Sequence, residues 1–303
     1  MFKIFSSIIV FFGCVYYTLF LPSELPDHVL RFAKNENLYH IVRDDKSFGL
    51  APAFFFIENI SYVKKRFTTG EYLILKEDTP FAFILRMFNN DSCFRKITFP
   101  EGYTVQRIVQ KLNETSLLSG EICALPQEGS LLPETYYYKF NDTRQSLINR
   151  MQREMKLFLE KIENNTSLTI EQVVSLASII EKESSISSEL PLISSVFHNR
   201  LEKKMMLQSD PTVIYALSNG YGKINRKLTR NDLKIDSPCN TYKNRGIPSE
   251  AICCPGKKAI QAALSPAKTN LLYFVLNRSG SAHTFANCYK DHLKNVNLAR
   301  KKA

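Results

Sequence analysis

Thr169-Ile170-Glu171-Gln172-Val173-Val174-Ser175-Leu176-Ala177-Ser178-Ile179-Ile180-Glu181-Lys182-Glu183 is the run on which the reading of this chain turns. Thr169 and Gln172 stand at the spacing of a capping box, in which each side chain bonds the other's backbone N–H, and an apolar series follows at once. At about 100° per residue, Val173, Val174, Leu176, Ala177, Ile179 and Ile180 gather on one side of a helix. Ser175, Ser178 and Lys182 share the opposite face, which is expected to be wet. Glu181 and Glu183 fall on the two flanks of the apolar face. A carboxyl at such an edge is raised in pKa by burial, so either glutamate could remain protonated near neutral pH. Periodicity does not choose between them.

Working outward, residues 144 to 163 read as a charged amphipathic helix. From Thr104, residues Val105, Ile108, Val109 and Leu112 recur at i, i+3, i+4 and i+7, the mark of another helix. The Pro-, Gly- and Tyr-rich stretch from Glu128 to Tyr138 is expected to be an exposed loop. Pro100-Glu101-Gly102 punctuates the chain ahead of this region. Before it, Gly70 to Leu75 and Phe94 to Phe99 read as strands around a helix that starts at Thr79-Pro80 and runs to Phe88, a strand-helix-strand unit. Residues 25 to about 66 show no clear pattern.

Residues Ile4 to Leu21 carry no charge and follow Lys3, a run long enough for a bilayer core, which takes ~20 apolar residues. Pro22-Ser23-Glu24-Leu25-Pro26 comes next with no small-residue cleavage site, so the run reads as an uncleaved anchor in preference to a signal peptide. Lys3 keeps the short N-terminal side in the cytoplasm and places the rest outside. The expected fold class is α+β: a transmembrane helix in residues 1–22, a small unit in 23–99 and a larger mixed α/β domain in 100–303.

A net charge of +11 over 303 residues suits nucleic acid, anionic lipid or an acidic polymer. The basic residues are spread along the whole chain, however, and no zinc finger, aromatic RNA-binding motif or phosphate loop is present, so no nucleic-acid partner is expected. The six cysteines beyond Cys14 are irregularly spaced and read mostly as buried thiols. His283, Cys288 and His292 with Cys253-Cys254 come nearest to a ligand set, but they lack the tight spacing of metal sites. Neither a metal nor another cofactor is expected.

Three blocks in order, Ala177-Ser178-Ile179-Ile180-Glu181-Lys182-Glu183, Val196-Phe197-His198-Asn199-Arg200-Leu201 and Met206-Leu207-Gln208-Ser209-Asp210-Pro211-Thr212-Val213-Ile214-Tyr215, resemble the YceG-like (MltG-type) endolytic murein transglycosylases. The likeness continues through Asn240-Thr241-Tyr242, Gly246-Ile247-Pro248, Cys254-Pro255-Gly256 and Gly280-Ser281-Ala282-His283-Thr284-Phe285. Upstream, Leu132-Pro133-Glu134-Thr135-Tyr136 also fits. His198, Cys239 and Cys254 depart from the family's usual residues, and Cys239 replaces an aromatic ring.

The resemblance implies a catalytic glutamate at the second position of Glu-Lys-Glu, here Glu183. It also implies a LysM-like subdomain for residues 23–99 and a single-pass anchor in the inner membrane at residues 4–21, with the catalytic domain on the extracytoplasmic side. The implied reaction cuts the bond from N-acetylmuramic acid to N-acetylglucosamine and leaves a 1,6-anhydromuramyl end, on nascent glycan strands, as a terminator of their elongation. Glycosidic cleavage of this kind needs an acid held protonated near neutral pH. Gln208, Asp210, Asn240, Thr241, Tyr242, Glu134 and Tyr136 are the implied substrate-binding positions, although residues of these types also close turns and cap helices. Peptidoglycan strands and peptidoglycan synthases are the implied partners.

Overall fold

The computed structural model describes residues 27–32 and 70–300, together with Gly13, Tyr16, Tyr17, Leu19 and Phe20. Most of the expected anchor therefore lies outside the described residues, and among those described no helix is long and apolar enough to cross a membrane. The architecture is mixed α/β and divides into two compact units. One comprises Met1–Ile97, Ser116–Ser119 and Tyr137–Thr143, and the other Thr98–Thr115, Gly120–Tyr136 and Arg144–Ala303.

In the first unit, β1 (His28–Phe32) pairs antiparallel with β2 (Gly70–Ile74), with Leu30 opposite Tyr72. Alternation along the strands sends Leu30, Phe32, Tyr72 and Ile74 inward. Helix α1 (Pro80–Phe88) starts where the sequence signals it: the Thr79 hydroxyl accepts the Ala82 N–H and Pro80 occupies the first turn. Its buried Phe83 meets Tyr72 edge-on. Glu71 is fully buried, held by Arg31 at 2.9 Å and Arg95 at 2.6 Å. Burial alone would raise its carboxyl, but the two guanidinium bonds prevail and hold it below the usual range. Strand β3 (Arg95–Thr98) pairs with β4 (Thr135–Tyr138) in a separate two-stranded sheet.

The second unit is built around a helical core. Helices α2 (Val105–Glu114), α3 (Arg144–Lys161), α4 (Ile170–Glu183), α5 (Leu190–Glu202), α6 (Asp210–Leu217) and α7 (Lys257–Leu264) precede the antiparallel hairpin of β5 (Tyr273–Leu276) and β6 (His283–Ala286). Helix α8 (Tyr289–Arg300) packs back onto that hairpin. α4 is central, packing on α5, α6 and α7. Its Val173, Leu176, Ile179 and Ile180 are fully buried with Ile193, Phe197 and Ile260, each contributing about 1.5–3 kcal/mol of transfer free energy. The capping box at Thr169 and Gln172 is present.

Two expectations are corrected here. Ser175 and Ser178 are buried, because the backbone of residues 248–252 runs along what was expected to be the wet face: Ser175 donates to the carbonyls of Pro248 and Glu250, and Ser178 accepts the Ile252 N–H. The hydroxyls dock a loop in place of water, so α4 is enclosed on both sides. The stretch Glu128 to Tyr138 is likewise no exposed loop. Leu131, Leu132 and Tyr136 are buried, the Tyr136 hydroxyl donates to the Leu132 carbonyl at 2.8 Å, and β4 begins at Thr135.

Candidate active site

Glu183 is the last residue of α4, where the helix opens into the extended Ser184. It lines a cavity of about 340 Å³ together with Arg200, Leu207, Gln208, Asp210, Tyr242, Tyr273, Phe274, Tyr289 and His292. Ser209, the residue before α6, donates its hydroxyl to Glu183 Oε1 at 2.5 Å. Burial pushes the Glu183 carboxyl up to about 7. The Ser209 bond opposes the rise, the nearby Asp210 carboxylate adds to it, and His283 and Arg200 oppose it more weakly. The result is a carboxylic acid poised near neutral pH in the lining of a cavity, the state that general acid catalysis requires.

The other glutamate of the pair is engaged elsewhere. Glu181 accepts the Gly256 N–H at 3.0 Å, at the start of α7, and does not line the cavity. Its carboxyl is also raised by burial, so a raised pKa by itself would not separate the two. The separation comes from where each side chain ends.

The remaining sequence-derived positions fall into three places. Gln208, Asp210 and Tyr242 line the cavity with Glu183. Gln208 does so from a left-handed backbone (φ 50°), which a non-glycine residue adopts only where its surroundings hold it. Tyr242 donates its hydroxyl to Asp210 Oδ1 at 2.6 Å, and burial with that bond pushes the phenol's pKa up, so it remains a proton donor. Asn240 and Thr241 lie just behind the wall. The Asn240 amide donates to the carbonyls of Leu233 and Ile235 while its oxygen accepts the Tyr242 N–H, and Thr241 Oγ1 accepts the Ser209 N–H. These bonds fix the 209 and 242 backbones that carry cavity residues. Glu134 and Tyr136 are not brought to the cavity: Glu134 takes an exposed ion pair from Lys257 at 2.6 Å, and Tyr136 faces the interior.

Sequence reading missed Arg200, Ser209, Tyr273 and Tyr289 as site residues. Arg200 is the most informative, since it is only 8% exposed and its guanidinium donates to the carbonyls of Leu272 (2.7 Å) and Leu207 (2.7 Å) while lying over the Tyr273 ring. Burial lowers its pKa without removing its charge. Its place in the Val196–Leu201 block was the available signal. Of the residues considered for a metal, His283 bonds Glu189 through both Nδ1 and its N–H, at 2.8 and 2.7 Å, Cys253 bonds the Ser178 carbonyl and Cys288 bonds Asp291. Ser184 also donates to Glu189, so this pair ties β6 to the residue that follows Glu183.

A larger cavity of about 490 Å³ lies in the same unit, lined by Met155, Leu159, Val174, Ala251 and Glu128 among others. Burial raises Glu128 to about 7, but its carboxyl is occupied by the Val105 N–H, the Cys254 thiol and the Tyr215 hydroxyl, a structural cap on α2. Chemistry therefore points to the smaller cavity.

The model of the YceG-like family matches residues 33–298. The endolytic murein transglycosylase of Bacillus subtilis (strain 168) is 38% identical over 173 residues, covering 56% of this chain and 47% of that protein. The protein of the same name from Streptococcus pneumoniae (strain R6) is 29% identical over 245 residues, 66% of this chain and 44% of that protein. The chain thus spans about half the length of the curated relatives it matches. A crystal structure of a yceG-like protein from Listeria monocytogenes matches with a TM-score of 0.54 at 26% identity, covering 88% of this chain and 98% of that one.

Proposed function

The chain belongs to the YceG-like family, and from that footing we propose that it is an endolytic peptidoglycan transglycosylase with Glu183 as its acid. The observation that carries this reading is the Glu183 carboxyl, raised to about 7, lining one cavity with Gln208, Asp210 and Tyr242. Protonated Glu183 gives its proton to the glycosidic oxygen between N-acetylmuramic acid and N-acetylglucosamine, and the bond from the muramyl C1 to that oxygen breaks. The muramyl C6 hydroxyl oxygen then bonds to C1, and its proton passes to the Glu183 carboxylate, which restores the acid. Capture by a group on the same sugar gains from proximity, worth up to about 7–11 kcal/mol of barrier in favourable geometries.

A second reading rests on Asp210, a carboxylate in the same cavity. Two carboxyls flanking a glycosidic bond also suit hydrolysis, in which the second activates water or attacks C1. Incubating the chain with uncut glycan strands and identifying the new ends by mass spectrometry separates the two: 1,6-anhydromuramyl ends support the transglycosylase, and reducing ends the hydrolase.

The rest of the proposal concerns placement. Residues 4–21 anchor the chain in the inner membrane, residues 23–99 form a LysM-like subdomain, and the catalytic domain of residues 100–303 works outside the cytoplasm. There it cuts nascent strands and ends their elongation beside peptidoglycan synthases. The apolar run after Lys3 supports the anchor.

A further inference from the structure

Helix α1, Pro80-Phe81-Ala82-Phe83-Ile84-Leu85-Arg86-Met87-Phe88, carries a single charged side chain, Arg86. Its row of Pro80, Phe83, Ile84 and Met87 is buried in the first unit, with Phe83 edge-on to Tyr72. The opposite side is apolar as well: Phe81 and Leu85, one helical turn apart on the same face, are 42% and 45% exposed. A helix that is apolar all round belongs in a core or against lipid, and water along one side is the costly arrangement. Phe20 meets that side. Its ring lies 5.2 Å from the Phe81 ring and stacks in turn on Tyr16 at 5.4 Å. Tyr16 and Phe20 both belong to the uncharged run of residues 4–21.

We infer that the outer face of α1 lies on the surface of the membrane that holds the anchor, with Phe81 and Leu85 set into the lipid. This rests on the anchor placement proposed above and adds a lipid contact made by the folded first unit itself. Phe20 is one residue from the outer end of the run, so in a spanning helix it sits where the hydrocarbon core gives way to headgroups. A ring packed on Phe20 shares that depth, which brings Phe81 to the lipid boundary. Leu85 follows at about 5–6 Å on the same face. A helix lying in this plane buries its apolar face ~5–10 Å into the headgroup and acyl boundary, deep enough to take in both side chains. The two strands present the other side of the unit. Tyr72 packs inward against Phe83, so alternation turns Leu73 and its cross-strand partner Val29 away from α1, and both are exposed there. The inferred lipid contact therefore includes Phe81 and Leu85 and excludes Leu73.

The chain contains no tryptophan, so a single introduced one reports its own surroundings without background. The full chain carrying Phe81→Trp, Leu85→Trp or Leu73→Trp is reconstituted into vesicles of phosphatidylethanolamine and phosphatidylglycerol, with and without lipid brominated near the headgroup end of the acyl chain. Co-flotation with the vesicles is checked first. All three substitutions fall at exposed apolar positions and do not threaten folding. Phe81→Trp and Leu85→Trp are expected to emit at shorter wavelength than Leu73→Trp and to lose most of their emission to the brominated lipid, while Leu73→Trp keeps its own. Leu85→Trp decides, because it stands one turn beyond the Phe20 contact. If the chain floats with the vesicles but bromine leaves the Leu85→Trp emission untouched, the inference is overturned and the anchor stands. A blue shift in that variant that grows with the protein-to-lipid ratio, without quenching, shows that a second copy covers the face, which also overturns it. So does equal quenching of all three variants, since no face is then selected. Failure of the full chain to float overturns the anchor placement, and this inference with it.

Discussion

Ser209 donates its hydroxyl to Glu183 Oε1 across 2.5 Å and so joins the entry of α6 to the final residue of α4. The bond favours the charged carboxylate, whereas Asp210, one residue along, favours the protonated acid. The two neighbours act on the same group with opposite sign.

A pH profile reads this opposition directly. Activity of an acid catalyst is lost as pH rises through its pKa, so the basic limb of kcat/KM is expected near pH 7. Ser209→Ala removes the bond that stabilises the carboxylate and is expected to move that limb to higher pH. Asp210→Asn removes a repelling charge and is expected to move it to lower pH. Limbs that shift the same way in both variants, or not at all, contradict this account of Glu183.

Arg200 makes a prediction about stability. Its guanidinium is buried and donates to the carbonyls of Leu272 and Leu207 on separate segments. Arg200→Met leaves those acceptors unpaired and is expected to cost about 3 kcal/mol by chemical denaturation. Arg200→Lys, with one compact ammonium in place of a planar fork, is expected to recover less than half of this. Full stability in the methionine variant would mean that the carbonyls find other donors.

Glu128 makes a prediction about stability and pH. Its carboxyl rises from 4.5 to about 7 on folding, chiefly through burial. Because the folded pKa lies above the unfolded one, the stability it contributes is fully present below pH 4.5 and is lost as pH rises through about 7. At 1.36 kcal/mol per unit this is about 3 kcal/mol. Glu183 acts in the same direction. Glu128→Gln cannot ionise, so the wild type's advantage over it is expected to be largest at pH 5 and to shrink towards pH 8, as followed by chemical denaturation. A gap independent of pH would show that Glu128 ionises without penalty.

Much of the helical frame was legible in the sequence, because the signals are local. The Thr79 and Thr104 caps, the capping box at Thr169 and the apolar spacing after Thr104 each act within one or two turns, and the helices start where they indicate. The errors came from long-range contacts. Ser175 and Ser178 look solvent-facing until residues 248–252 are known to lie on them, and no periodicity encodes a partner that distant in sequence. The candidate site divides in the same way. The motif blocks brought Gln208, Asp210 and Tyr242 to notice, but motif membership does not distinguish a side chain in the cavity from one behind it, such as Asn240. Tyr289 and His292 lie in no quoted block and reach the cavity only because α8 folds back on the hairpin.

The choice between Glu181 and Glu183, left open by periodicity, carries the central claim. The deciding measurement is release of muropeptides from uncut glycan strands by wild type, Glu183→Gln and Glu181→Gln, each first checked for a cooperative unfolding transition. With Glu183 as the acid, Glu183→Gln is expected to lower the rate by at least about 100-fold. Glu181→Gln, which weakens only a bond to Gly256, is expected to retain most activity. Full activity in a folded Glu183→Gln protein, or its loss in Glu181→Gln alone, would contradict the account.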